Sequence, residues 1–350
     1  MTPGLFSPTD LIIDVGTTHT VLASRQNDFF VRRESRVAIR YTTPPRGGPP
    51  TAKVEAVGRE ALDFNDAKEI RVIRPMDHGR VVEATPLDLM LKAMLSQTPG
   101  RWGRLRPLRG FGGLVGPPEQ DAEQRLRLVE FSQTLARGSV DTIDIPMAGA
   151  RRLGFSMEDP HGRMIIDFGG GKTCMGVIAM GGLVAWHTAH FGGQDLDRAI
   201  AVYLERKHQL IISPEQAMEI KHQIGAVYPK AKPAKLQVDG IQQNATRAKK
   251  IVVEDQEIRE VILNAMEPLN LAIQAGFRGV TPELCGDIAR AGVTLVGGSA
   301  LLEGLASHLS ERLGIGFYVG EDPMNTVVMG AHEMLLENRG PSSGKKPQTG

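Results

Sequence analysis

Cysteine is scarce in this chain, with only Cys174 and Cys285 among its 350 residues. Two such distant cysteines form neither a disulfide framework nor the paired spacing of a zinc site, which favours a reducing compartment. No apolar run approaches the roughly 18 residues needed to span a bilayer. The first ten residues also lack the basic and the extended apolar parts of a signal peptide. We therefore expect a cytosolic protein.

An excess of charge of either sign is also missing. Lysine and arginine together number 41, aspartate and glutamate 40, and the formal net charge is +1. This balance gives no overall case for binding nucleic acid, so we expect no such partner. The hydrophobic share of 41% and the charged share of 23% are ordinary for a globular protein. The length is typical of two domains.

The most informative stretch is MIIDFGGGKTCMGVI, residues 164–178. Its two short apolar runs, separated by glycines, predict two buried strands joined by a tight turn. Three consecutive glycines let the backbone approach a ligand closely, and the N–H groups of such a turn form an anion cradle suited to phosphate. Asp167 ends the first strand, where its carboxylate could hold a hydrated Mg²⁺ beside the phosphates.

A second stretch, LIIDVGTTHTVL at residues 11–22, repeats this pattern. Asp14 again ends an apolar run, and Gly16, Thr17 and Thr18 follow it. Internal repetition of this kind indicates two related halves. Two such turns could face each other across a cleft and bind one polyphosphate from both sides.

The remaining chain alternates predicted strands and helices, which indicates an α/β protein of two related domains around a cleft. A strand at 293–296 leads into Gly297, Gly298 and Ser299 and then a helix, an arrangement that brings the backbone close to the adenosine end of a nucleotide. A single long helix is predicted over 253–275. The predicted divisions are a lead-in (1–9), a first domain (10–150, with a small subdomain at about 30–80), a second domain (151–338, with a small subdomain at about 208–252) and a disordered tail (339–350).

The segment 97–118 interleaves bulky apolar residues with arginines in a loop rich in glycine and proline. One interpretation is a membrane contact, in which Trp102 and Leu105 enter the headgroup region while the arginines meet anionic lipid. The other is that 108–115 is a core strand and the arginines are its solvated flank. Both interpretations could hold for different parts of the segment.

Three motifs carry a resemblance to the actin-like ATPase superfamily. DVGTTHT (14–20) resembles its first phosphate motif, DFGGGKT (167–173) its second, and LVGGSALLEGL (295–305) its adenosine motif. Within the superfamily the chain is most similar to the MreB family of bacterial cell-shape actins. Further matches follow in the family's order at 73–76, 146–148, 193–200, 224–229 and 329–331.

The resemblance implies two α/β domains of the actin-like fold and the cofactors ATP and Mg²⁺. It also implies self-assembly into filaments on the cytoplasmic face of the inner membrane, where they would work with cell-wall synthesis proteins to organise the wall and cell shape. Asp14 and Asp167 would hold the metal through water. The nucleotide would be bound by Asp14, Gly16, Thr17, Thr18, His19, Asp167, Gly169, Gly170, Gly171, Lys172, Thr173, Gly192, Gly193, Asp195, Glu219, Lys221, Gly297, Gly298 and Ser299.

The chain departs from the family at two places. The second phosphate motif has Lys172 and Cys174, where the resembling proteins usually carry threonine and glutamate. The catalytic acid that positions the attacking water falls on Glu123 if the chain is aligned from the N-terminal side, and on Gln124 if it is aligned back from Pro146. Either residue could orient water, since phosphoryl transfer depends mainly on positioning and charge. The family's membrane loop corresponds to the Trp102 region.

Two other functions share this fold. A sugar-kinase-like phosphotransferase would need an aspartate base near a sugar hydroxyl, and no clear candidate is present beyond the metal-type acids. A structural filament protein that binds nucleotide with little turnover fits the Lys172 and Cys174 departures. A weak ATPase coupled to polymerisation, in cell elongation or in a specialised role such as spore-wall building, is the favoured interpretation.

Overall fold

The computed structural model describes most of the chain, namely residues 9–24, 28–43, 50–98, 110–118, 122–136, 139–156, 158–229, 232–243, 245 and 247–337. The predicted tail, nearly all of the predicted lead-in, and the two proposed membrane-contacting residues, Trp102 and Leu105, lie outside the described residues.

The first half of the chain alternates strands and helices. In chain order they are β1 (Thr9–Val15), β2 (His19–Ser24), β3 (Phe29–Glu34), β4 (Val37–Thr42), β5 (Thr51–Val57), β6 (Ile70–Ile73), β7 (Met76–Asp77), β8 (Arg80–Val81), α1 (Ala84–Ser96), β9 (Gly110–Gly116), α2 (Ala122–Ala136), β10 (Ser139–Asp144) and α3 (Ile145–Arg152). The main sheet has the order β10-β9-β1-β2-β3, and a smaller sheet has the order β5-β4-β6. β7 and β8 form a separate two-stranded hairpin.

The second half repeats this plan. Its elements are β11 (Arg163–Phe168), β12 (Thr173–Ala179), β13 (Gly182–Ala189), α4 (Gly193–His208), β14 (Leu210–Ile211), α5 (Pro214–Ile224), β15 (Lys235–Gln242), β16 (Ala248–Glu254), α6 (Asp255–Ala265), α7 (Glu267–Gly276), α8 (Pro282–Ala291), β17 (Val293–Val296), α9 (Leu305–Leu313), β18 (Phe317–Val319) and α10 (Thr326–Glu337). The main sheet has the order β13-β12-β11-β17-β18, and the smaller one β14-β15-β16.

The two main sheets share one topology. In each, the first strand pairs antiparallel with the strand that follows it, β2 or β12. On its other side it runs parallel to a strand from later in the chain, β9 or β17. The predicted pair of related α/β halves is therefore confirmed, and the shared topology places the turns after β1 and β11 at equivalent positions.

The strands next to the two turns are held in place by burial of their apolar side chains. Every residue of β12 is buried, in keeping with its nearly continuous apolar sequence. Each half has its own hydrophobic core, and a third core cluster includes Ile12 of β1, Ile165 of β11 and Val328 of α10. The strand ends that carry the two aspartates are thus anchored in a packed interior that restricts their motion.

The prediction of one long helix over 253–275 is wrong. The structure has two helices, α6 and α7, that meet at Met266. Pro268 lies in the first turn of α7, because a proline has no N–H to donate inside a continuous helix but is tolerated at its start. Helix α8 was not predicted, although Thr281 accepts a hydrogen bond from Leu284 N as its N-cap at 3.5 Å.

The segment proposed to contact a membrane is described only from residue 110 onward. There it forms β9, whose Leu114 and Val115 are 1% and 5% exposed, so the core-strand interpretation holds for this part. None of the helices in the described ranges combines the length and apolar character that a membrane crossing requires.

Candidate functional site

The turns after β1 and β11 have the same internal hydrogen bond. Gly16 N donates to His19 O at 3.0 Å in the first turn, and Gly169 N donates to Lys172 O at 3.0 Å in the second. Each turn spans four residues and directly follows a largely buried strand whose second-last residue is Asp14 or Asp167. The sequence repeat therefore corresponds to a repeated backbone arrangement.

The two turns lie against each other. A Cβ atom added to Gly170 would be 1.8 Å from Thr18 Oγ1, and one added to Gly171 would be 2.5 Å from Thr17 Oγ1. Both distances are far below van der Waals contact, so glycine is required at these two positions for the turns to approach so closely. The predicted meeting of the two motifs across a cleft is present in the structure.

A cleft of about 530 Å³ opens beside the meeting point. A cleft of this size is typical of sites for small molecules and cofactors. Fifteen of the predicted nucleotide-binding residues line it: Asp14, Gly16, Thr17, Thr18, His19, Asp167, Gly169, Gly170, Gly171, Lys172, Gly193, Lys221, Gly297, Gly298 and Ser299.

Four predicted residues do not line this cleft. Thr173 is fully buried and donates its hydroxyl to Phe191 O at 2.8 Å. Gly192 N donates to Asp195 Oδ2 at 2.8 Å, which caps the start of α4. Glu219 pairs instead with Arg59 of the other half at 2.9 Å. These residues support or flank the cleft.

The two candidates for positioning water also lie outside the cleft lining. Glu123 is 70% exposed on the first turn of α2 and pairs with Arg127 at 2.5 Å. Gln124 Oε1 accepts a hydrogen bond from Val81 N at 2.9 Å, which ties α2 to the β7–β8 hairpin.

That hairpin bridges the two halves beside the turns. Gly79 N donates to Thr17 Oγ1 at 2.7 Å in the first half. The ring of His78 contacts Asp195 in the second half, with 3.2 Å between Nε2 and Oδ1. His78 and Gly79 both have positive φ, as the tight turn of a two-residue hairpin requires. Sequence reasoning missed this contact, although the dipeptide His78-Gly79 carries a weak turn signal.

Several cleft residues were not predicted, including Arg32, Gln194, Asp197, Met218 and His222. Lys221 Nζ pairs with Asp197 Oδ1 at 2.8 Å and donates to Gly193 O at 2.8 Å, which joins α5 to α4 at the cleft wall.

Burial dominates the electrostatics of the two aspartates. It raises the pKa of Asp14 to about 6 and, reinforced by the nearby charge of Asp14, raises the pKa of Asp167 to about 7. The charge of Lys172 opposes both shifts. Burial also lowers the pKa of His19 to about 4, so this imidazole is neutral at pH 7. Two close, poorly solvated carboxyl groups form a site that a cation would stabilise.

The amino-acid sequence matches a known protein family over nearly its whole length. The profile of the MreB/Mbl protein family matches residues 8–342. The cell shape-determining protein MreB of Escherichia coli is 31% identical over 334 residues, covering 95% of this chain and 94% of the relative. The cell shape-determining protein Mbl of Bacillus subtilis is 27% identical over 330 residues, covering 93% and 95%.

Solved structures show the same fold. MreB5 of Spiroplasma citri, bound to AMPPNP, superposes with a TM-score of 0.85 at 22% identity, covering 95% of this chain and 97% of that one. A MamK double helical filament gives 0.74 at 18% identity, covering 94% and 99%. The expected actin-like fold is confirmed, and the chain belongs to the MreB/Mbl family.

Proposed function

We propose that this protein binds ATP and Mg²⁺ in the cleft and assembles with copies of itself into filaments. The filaments would lie on the cytoplasmic face of the inner membrane and organise cell-wall synthesis and cell shape. The observation that carries the nucleotide part is the contact between two glycine turns with the same internal hydrogen bond, one from each half. Cell-shape roles are those named for the relatives MreB and Mbl.

The turns are suited to phosphate because their side chains are small. The backbone N–H groups of the turns therefore remain accessible to the phosphate oxygens. Gly169, Gly170 and Gly171 line the cleft opposite Thr17 and Thr18, so one polyphosphate could contact both halves. Such a ligand stabilises the arrangement in which both turns reach it. Loss of its terminal phosphate removes part of that preference, which is how hydrolysis would shift the conformation.

Asp14 and Asp167 fit a bound Mg²⁺. This ion takes one or two carboxylates together with water and substrate phosphates. Among the described residues no group of three or more His, Cys, Asp or Glu side chains could hold a metal ion, so water and the phosphates would supply the remaining ligands. The raised pKa of each carboxyl group reflects negative charge in a buried place, which a divalent cation would offset. Mg²⁺ would there neutralise charge on the phosphates.

A solved structure of the same fold supports self-association, and the amino-acid sequence supports membrane binding. MamK, which shares the fold, forms a double helical filament. The proposed membrane contact consists of Trp102 and Leu105 with the flanking arginines. A head-to-tail contact between identical subunits propagates as a filament when it does not close into a ring.

A second candidate function is a filament protein that binds nucleotide with little turnover. The positions of Glu123 and Gln124 favour it, because neither side chain lines the cleft and each is bound elsewhere. Weak hydrolysis requires one of them to reach the cleft when filaments form, whereas the structural role requires neither.

Sedimentation and phosphate release measured together separate these functions. The samples are the wild type, Glu123→Ala and Gln124→Ala, with ATP and Mg²⁺ over a range of protein concentrations. Glu130→Ala is the control, an exposed glutamate on the same helix. We expect concentration-dependent pelleting with slow phosphate release that one of the first two substitutions abolishes. Pelleting without release supports the structural role, and no pelleting with any nucleotide contradicts filament formation.

Membrane binding is tested by flotation with anionic vesicles of phosphatidylglycerol and with neutral vesicles of phosphatidylcholine. The double variant Trp102→Ala/Leu105→Ala should lose binding to the anionic vesicles while still pelleting with ATP. Equal flotation of wild type and variant would contradict the assignment of this loop.

A further inference from the structure

Lys172 differs from the other cations of the cleft because its ammonium group has no hydrogen-bond or ion-pair partner among the described residues. In the part of the chain that the structure describes, three side chains with a permanent positive charge line the cleft: Arg32, Lys172 and Lys221. Arg32 donates to Met324 O and Asn325 Oδ1, both at 2.5 Å.

The other lysine of the cleft is already neutralised. Lys221 pairs with Asp197 at 2.8 Å. By contrast, no ion pair within 4.0 Å and no side-chain hydrogen bond joins Lys172 to any residue in the described ranges. The two cleft histidines add no charge at pH 7, since burial lowers the pKa of both His19 and His222.

The carbon chain of Lys172 packs against the β7–β8 hairpin. A Cβ atom added to Gly79 would be 2.7 Å from Lys172 Cδ and 3.4 Å from its Nζ, so the hairpin glycine leaves room for this side chain. The hairpin is held in turn by Thr17. The side chain therefore lies where the two phosphate turns and the hairpin meet.

Its charge acts on both aspartates of the site. Lys172 opposes the rise in the pKa of Asp14 and of Asp167, so its ammonium lies within electrostatic range of both carboxylates. A lysine ammonium is a compact point charge with three donors that binds phosphate well. A positive group at this place compensates the charges that a divalent cation would compensate.

We propose that Lys172 is a built-in phosphate-binding cation that takes over part of the charge neutralisation by Mg²⁺, so that this protein holds nucleotide with little dependence on the metal. The inference rests on the proposed nucleotide site. It also predicts that Lys172 favours a nucleotide with a terminal third phosphate, because its side chain reaches the junction of the two turns.

Equilibrium binding tests the proposal without any measurement of turnover. Dissociation constants for AMPPNP and ADP are measured by calorimetry with Mg²⁺ and with EDTA. The wild type is compared with Lys172→Met, which keeps the carbon chain that packs against Gly79 but removes the charge. Lys172→Arg keeps the charge, and Lys92→Met, on the exposed side of α1, is the control for loss of a lysine.

We expect the wild type to bind AMPPNP less than about 10-fold more weakly in EDTA than with Mg²⁺. Lys172→Met should lose about 10- to 100-fold in EDTA, the range of one charge-assisted hydrogen bond, and clearly less with Mg²⁺. Its loss should be greater for AMPPNP than for ADP. Lys172→Arg should restore most of the affinity in EDTA.

The outcomes are distinguishable. If the wild type binds neither nucleotide even with Mg²⁺, the proposed function itself fails. If it binds with Mg²⁺ but loses more than about 100-fold in EDTA, or if Lys172→Met binds like the wild type in EDTA, the role of Lys172 is refuted while the nucleotide site stands. Unchanged thermal unfolding of Lys172→Met confirms that an altered affinity does not come from misfolding.

Discussion

Glu215 joins the two halves of the protein through a partly buried cluster of charges. At the first turn of α5 its Oε1 lies 2.9 Å from Arg36 Nη2 and 2.6 Å from Arg74 Nη2. Arg36 is only 4% exposed, and its other acidic neighbour, Glu34, is more distant at 3.4 Å. Removing the charge of Glu215 would leave two close guanidinium groups with little compensation.

We predict that Glu215→Gln lowers the free energy of unfolding by about 2–4 kcal/mol. Breaking one partner out of a buried ion pair costs about 3–5 kcal/mol. The lower range applies here because Glu215 is 23% and Arg74 is 35% exposed, so that water screens part of the interaction. Glutamine keeps the shape of the side chain, so packing is preserved and the loss reports the charge.

The matched control lies one helical turn away. Glu219 pairs with Arg59 across the same boundary at 2.9 Å, but these side chains are 47% and 73% exposed. Glu219→Gln should therefore cost less than about 1 kcal/mol. Urea unfolding of the nucleotide-free protein, followed by circular dichroism at pH 7, measures both. A loss below about 0.5 kcal/mol for Glu215→Gln, or equal losses for the two variants, would refute this reasoning.

Two further variants test the contacts around the turns. Gly170→Ala should weaken binding of AMPPNP at least about 10-fold, because the added Cβ would lie 1.8 Å from Thr18 Oγ1. Gly182→Ala is the control. Its added Cβ would have no neighbouring atom closer than 3.8 Å, so this variant should bind normally in the same titration. Burial alone lowers the pKa of His78, but Asp195 and a second carboxylate outweigh it and raise the pKa overall. His78→Gln should therefore lower the free energy of unfolding by up to about 1 kcal/mol at pH 6 and by less at pH 8. The reason is that the stabilisation from a raised histidine pKa disappears as pH rises. Equal losses at both pH values in urea unfolding would contradict this prediction.

The glycine turns could be predicted because their signal is local. An apolar run, an acid and consecutive glycines specify a buried strand, its end and a tight turn within a few residues. The repetition of this signal at Asp14 and Asp167 also indicated the duplicated topology. Predicting the two turns required only the local sequence and the comparison of these two segments with each other.

Residues on helices were predicted less well, because a shift of one position rotates a side chain by about 100°. Glu219 was expected at the cleft, but its neighbours Met218 and Lys221 line it instead. On α2, Leu126 is 57% exposed, whereas Leu128, two positions later, is only 4% exposed. Asp197 was missed because only the packing of α4 against α5 brings it to the cleft.

Helix α5 carries two kinds of contact on adjoining parts of its surface, and this links them thermodynamically. Glu215 and Glu219 are held by arginines of the first half, while Met218, Lys221 and His222 line the cleft. A ligand that binds the cleft face more tightly when α5 lies against the first half must strengthen the arginine contacts by the same free energy. The converse also holds, so that weakening the contact at Glu215 should lower the affinity for nucleotide although Glu215 does not line the cleft. For such a ligand, closure of the two halves and occupancy of the cleft would be coupled through one helix.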